Sequence, residues 1–100
     1  MKNLAISQGS GMLKAMGNQK RLEILYYLAD KEMNVGELEK KVNLSQSALS
    51  QHLAVLRSNK IVKTRRVAQT IFYSIQSEIA LKLLQLLDKL YNKPYQRCEV

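Results

Sequence analysis

The chain has 100 residues, 46% of them hydrophobic, with 16 Lys and Arg against 8 Asp and Glu and a formal net charge of +8. That length makes one domain with a modest core, and the charge favours a polyanionic partner, nucleic acid ahead of an anionic membrane. The single cysteine, Cys98, excludes an intrachain disulfide, no run approaches the roughly 18 apolar residues of a membrane span, and Met1–Gly11 lacks the apolar stretch of a signal peptide, so a soluble cytoplasmic protein is expected.

Residues 1–10 are mostly polar and are expected to begin frayed. Met12, Leu13 and Met16 have helical spacing, so a first helix reaches Met16, where Gly17 and Asn18 break and recap. A second helix runs from about Gln19 to Asp30. Leu22, Leu25, Leu28 and Ala29 form its stripe, Ile24 and Tyr26 lie beside it, and of Tyr26 and Tyr27 one is core and one surface. Asp30–Met33 reads as a charged connection. Asn34 and Glu37 then have capping-box spacing for a short helix, Val35 to about Val42, with Val35, Leu38 and Val42 turned inward. Val42-Asn43-Leu44 makes a brief turn without glycine, in which Asn43 can take the left-handed conformation.

Ser45 is a good N-cap, and Leu44 before it can staple onto Leu49. In the helix that follows, Leu49, Leu53 and Leu56 fall in one narrow arc. The opposite side carries Ser47, Gln51, Ala54 and Ser58, with Ser50 alongside. A solvated helix face usually carries Lys and Glu pairs. Short hydroxyls and an amide suit close approach to another surface, and Gln is a natural bidentate partner for adenine in the major groove. The short helix, turn and second helix make a helix-turn-helix over about 35–58. Around it the charge is segregated: no acidic residue lies between Glu39 and Glu78, where Lys40, Lys41, Arg57, Lys60, Lys63, Arg65 and Arg66 all fall.

Ser58-Asn59-Lys60 ends that helix. Ile61–Arg66 and Thr70–Ile75 alternate and are rich in β-branched residues, which predicts a hairpin, a wing over about 61–75. Ile71, Tyr73 and Ile75 share one of its faces, and Arg65, Arg66 and Gln69 lie at its tip. Ser77 caps a last helix, about 78–92, that is apolar nearly all round. A terminal helix in so small a domain asks for a partner subunit to cover it. Pro94 ends it, and Tyr95–Val100 reads as a loose tail.

The fold expected is therefore mainly α with a β-hairpin wing, a single winged helix-turn-helix domain over 1–100 in the order α-α-α-α-β-β-α. Ser47, Ser50 and Gln51 are candidates for base and phosphate contact, and Gln46 reaches a phosphate from the first turn. His52, at the edge of the stripe, either donates to a phosphate or packs against the next helix. Arg65 and Arg66 alternate across a strand, so they cannot point the same way, and at least one meets the backbone. Lys41, Arg57, Gln69 and Thr70 complete the candidate DNA-binding set, Lys41 steering without reading sequence.

The element order and three motifs, KAMGNQKRLEILYYL (14–28), VGELEKKVNLSQSALSQHLAVLR (35–57) and IVKTRRVAQTIFYSI (61–75), resemble the ArsR/SmtB family of winged-helix repressors. Within it, Ala68-Gln69 in the wing looks like the branch of nodulation, haemolysin and sulfide-responsive regulators. The resemblance implies a homodimer through the first and last helices, acting on a pseudo-palindromic double-stranded DNA site as a repressor or anti-repressor. Metal-sensing members carry a cysteine pair in the short helix, or Asp, His and Glu ligands on the last one. Here VGELEKKV has no Cys and the last helix no His, so no metal site and no cofactor is expected, and the inducer is unknown. Persulfide-sensing relatives use two cysteines. Tyr26 or Tyr27 stands at the first position and Cys98 near the second, so that role does not carry over. Cys98 reads as an inert tail thiol, the alternative being an intersubunit redox disulfide. No nucleophile–base set, metal cluster or phosphate loop indicates an enzyme. The other class open is a helix-turn-helix used for protein or RNA contact.

Overall fold

The computed structural model describes residues 2–92. Pro94, the tail and Cys98 lie outside them. In chain order the elements are α1 (Asn3–Met16), α2 (Gln19–Asp30), β1 (Met33–Asn34), α3 (Val35–Val42), α4 (Gln46–Ser58), β2 (Val62–Val67), β3 (Thr70–Ile75) and α5 (Glu78–Tyr91). This is the expected winged helix-turn-helix with one addition. Met33 and Asn34, read from sequence as part of a connection and a cap, pair antiparallel with Tyr73 and Phe72, so the sheet is three-stranded in the order β1-β3-β2.

Local chemistry sets most boundaries. The Asn18 carboxamide accepts from the Lys20 and Arg21 amides and starts α2. A Cβ on Gly17 would lie 2.9 Å from the Leu13 carbonyl oxygen, so the α1–α2 corner has no room for a side chain. Asn34 and Glu37 close the full capping box of α3, each side chain bonding the other residue's amide. Asn43 ends that helix in the left-handed conformation, φ 53° and ψ 55°. Ser45 caps α4 through the Ala48 amide, and Ser77 caps α5 through the Ala80 amide. α4 ends in a Schellman turn. Lys60 takes φ 60°, its amide donates to Arg57 and the Ile61 amide donates to Leu56.

The core collects Ile24, Leu25 and Leu28 of α2, Leu38 and Val42 of α3, Leu49, Leu53 and Leu56 of α4, and Ile61 and Val62 at the wing root. Ala29, expected in the α2 stripe, is exposed. The buried arc runs through Ile24 instead, leaving Leu22 half-buried at its edge. Tyr27 is half-buried and Tyr26 exposed, their rings edge to face at 5.3 Å. α1 starts at Asn3 rather than fraying through its polar first residues. Only Ala15 and Met16 in it are buried, and the helix propagates outward from that packed end because extension costs little once a turn exists. α5 buries only Ala80 and leaves Ile79, Leu86, Leu90 and Tyr91 at least half exposed.

Candidate nucleic-acid interface

The interface is built outward from α4. Leu49, Leu53 and Leu56 are essentially inaccessible, and their burial fixes the helix's rotation. Gln46, Ser47, Ser50, Gln51, Ala54, Arg57 and Ser58 are all exposed, so the face that the wheel places outward is outward. At its start, Ser45 occupies the amide of Ala48 and the backbone carbonyl of Ser45 that of Leu49. The Gln46 and Ser47 amides have no intrahelical acceptor by the geometry of any helix start, and they point along the positive end of the helix.

His52 meets the earlier helix α2 rather than the next helix. It is half-buried, and the Arg21 guanidinium of α2 approaches its Nδ1 at 3.4 Å. Arg21 also donates through Nε to the Ala15 carbonyl at 2.6 Å, so it joins the end of α1 to the reading helix. Burial first, and the Arg21 charge second, push the His52 pKa below its ordinary value of 6.5. With Arg21 as donor, Nδ1 is an acceptor and the imidazole proton sits on Nε2, the edge that points away from Arg21.

The wing is anchored at its root, where the Gln76 and Ser77 amides both donate to the Ile61 carbonyl. Val67 pairs with Thr70, which leaves Ala68-Gln69 as a two-residue tip with Ala68 at φ 55°. Arg65 and Arg66 emerge on opposite faces, as alternation requires. Val62, Thr64 and Arg66 share the inner face with Ile71, Tyr73 and Ile75, and Ile71 lies far enough toward the tip to be 41% exposed. Arg66 donates to the Ala68 carbonyl at 3.0 Å and braces the tip. Arg65 lies across the outer face. Its guanidinium sits 5.1 Å from the Phe72 ring centroid and forks onto Glu32, with Nη2–Oε1 at 2.5 Å and Nε–Oε2 at 3.2 Å. The hydrogen bond from Arg65 holds the Glu32 carboxyl below its ordinary pKa, and Glu32 raises that of Arg65 in return.

The candidate residues thus fall into three groups. Gln46, Ser47, Ser50 and Gln51 share the α4 face, with Arg57 at its far end. Gln69 and Thr70 are exposed at the wing tip beside Arg66. Lys41 stands apart, its ammonium 5.8 Å from the Tyr27 ring centroid. Sequence reasoning missed Lys20, which bonds the Val42 carbonyl at 3.1 Å beside the turn, and also Arg21 and Glu32. One signal was available: Lys20 and Arg21 occupy the first turn of α2, where the helix dipole disfavours cations, which suggests that they are needed by something outside that helix. Among the described residues no group of three or more His, Cys, Asp or Glu converges as a metal site, and no helix is long and apolar enough to cross a membrane.

Residues 18–64 match the family model described as bacterial regulatory protein, arsR family. The transcriptional activator HlyU of Vibrio cholerae serotype O1 is 52% identical over 85 residues, which span 85% of this chain and 79% of that protein. The nodulation protein NolR of Rhizobium meliloti is 56% identical over 83 residues, spanning 83% of this chain and 68% of NolR. The solved structure of HlyU from Vibrio cholerae N16961 superposes with a TM-score of 0.87 at 46% identity, covering 93% of this chain and 100% of that one. The exposed reading helix, the wing beside it and these likenesses lead to one conclusion: the chain belongs to the ArsR family, as a winged helix-turn-helix DNA-binding transcriptional regulator.

Proposed function

We propose that the protein is a cytoplasmic homodimer that binds a pseudo-palindromic operator in double-stranded DNA and represses, or displaces another bound regulator. The carrying observation is the face of α4, exposed, polar and uncharged, on a helix whose apolar side is wholly buried. Ser47, Ser50 and Gln51 contact base edges and phosphates in the major groove, Gln51 bidentate to adenine. Gln46 and the first-turn amides meet a phosphate, and the Nε2 edge of His52 donates to the next one. Arg57 and Lys41 add attraction without selectivity. Arg66, Gln69 and Thr70 carry the wing onto the backbone or into the minor groove.

Apolar side chains on α1 and α5 support the dimer reading. Leu4, Ile6 and Leu13 of one helix and Ile79, Leu86 and Leu90 of the other are each at least half exposed, large apolar side chains that a partner subunit would cover. Two copies joined there would set reading helices into successive major grooves about 34 Å apart. The test is selection of duplexes from a randomised pool, followed by anisotropy titrations at several salt concentrations. Recovered sites should show inverted symmetry, and affinity should fall linearly on a log–log plot against salt. Asymmetric sites, or equal affinity for a scrambled duplex, would remove the reading.

A further inference from the structure

The Glu32–Arg65 pair is the feature that the DNA-contact reading does not absorb. Arg65 starts on β2, passes over Phe72 of the middle strand and reaches Glu32, the residue before β1. The fork engages Nε and Nη2, and the guanidinium lies over the ring. Glu32 stands at the entrance to β1 and α3, the first helix of the helix-turn-helix, and Arg65 stands mid-strand on β2, level with Phe72 and Asn34 across the sheet. The pair therefore spans the sheet from its outer strand β2, over the middle strand, to the segment that enters α3, and adds a side-chain tie to a wing that β1 holds through only two residues. A bidentate Arg–carboxylate fork has a fixed plane, so it restrains angle as well as distance.

We propose that Glu32 and Arg65 form a clasp, seated on Phe72, that sets the angle of the wing against the reading helix. Arg65 is then a positioning residue: it acts on DNA through the wing and touches no phosphate itself. The proposal rests on the DNA-binding reading above.

Because any change in net charge alters DNA affinity by itself, the test compares proteins of equal charge. Wild type, E32Q/R65Q and the swap E32R/R65E all keep the formal net charge of +8. Each full-length protein is titrated against a duplex that the wild type selects from a randomised pool, and against a scrambled duplex, at several salt concentrations. Circular dichroism confirms that each is folded. The clasp predicts that E32Q/R65Q loses up to about fivefold on the selected duplex, the size of one lost exposed ion pair, with an unchanged salt slope. It predicts that the swap recovers most of that loss, since the fork can re-form in reverse across Phe72. A phosphate contact predicts the opposite: the swap is the weaker binder, because a carboxylate now faces DNA, and the salt slope drops by about one in both variants. That result, or three proteins of equal affinity, overturns the clasp while leaving DNA binding intact. Failure of the wild type to select any duplex overturns both.

Discussion

Gln51 and Arg66 should fail in different ways when truncated. Gln51→Ala removes the proposed base contact, worth about 1–3 kcal/mol of discrimination, so the affinity ratio between selected and scrambled duplexes should fall about fivefold or more. Arg66→Ala should weaken both duplexes alike and flatten the salt dependence by about one. His52 makes a separate prediction. Its folded pKa lies below its ordinary 6.5, so on acidification the unfolded chain takes up the proton first. Stability should hold above pH 6.5 and fall as the pH drops below it, and thermal melts of His52→Gln should lose that slope. The depressed Glu32 adds its own loss only at lower pH, through the ordinary carboxylate range near 4.5. At this scale the α4 face was legible because the wheel needs only the sequence. Arg65 was not: alternation says that it opposes Arg66, but its partner Glu32 lies 33 residues away, and no local pattern reports a long-range ion pair.

Elements read well wherever a cap or a period declares them. The Asn34–Glu37 box, the Ser45 and Ser77 caps and the left-handed Asn43 all stand where the residue types put them. Asn34→Ala should cost about 1 kcal/mol in urea denaturation, since it frees the Glu37 amide and leaves only the bond from the backbone amide of residue 34 to Glu37. β1 escaped because two residues show no alternation, and its pairing depends on β3, forty residues on in the chain by register. The apolar arc of α2 is wide enough in sequence to include Ala29. Packing chose Ile24, a larger side chain, for the buried centre, and left alanine where little area is lost by exposure.

For the whole molecule, the near-continuous apolarity of α5 is the pattern in the sequence that points to a partner chain, and the proposed dimer rests on it. Leu86→Glu places a charge on a helix face already half exposed, so the isolated fold should tolerate it. Sedimentation should show a shift to monomer, and affinity for a two-half-site duplex should drop far more than for one half-site. If the variant sediments as the wild type does, α5 is not the seam.

Three non-glycine residues among those described have positive φ: Asn43, Lys60 and Ala68, while no glycine does. They mark the turn before the reading helix, its exit and the tip of the wing. A side chain there costs about 1–2 kcal/mol of local strain at Lys60 and Ala68, and it narrows what each corner can do. Glycines at these corners would fold with less strain and leave looser joints, whose freedom DNA would then have to remove. Ala68→Gly should accordingly raise the melting temperature yet weaken operator binding, with a more unfavourable binding entropy by calorimetry. The corners take the ordering cost during folding, once, so that the surface arriving at the duplex is already in shape.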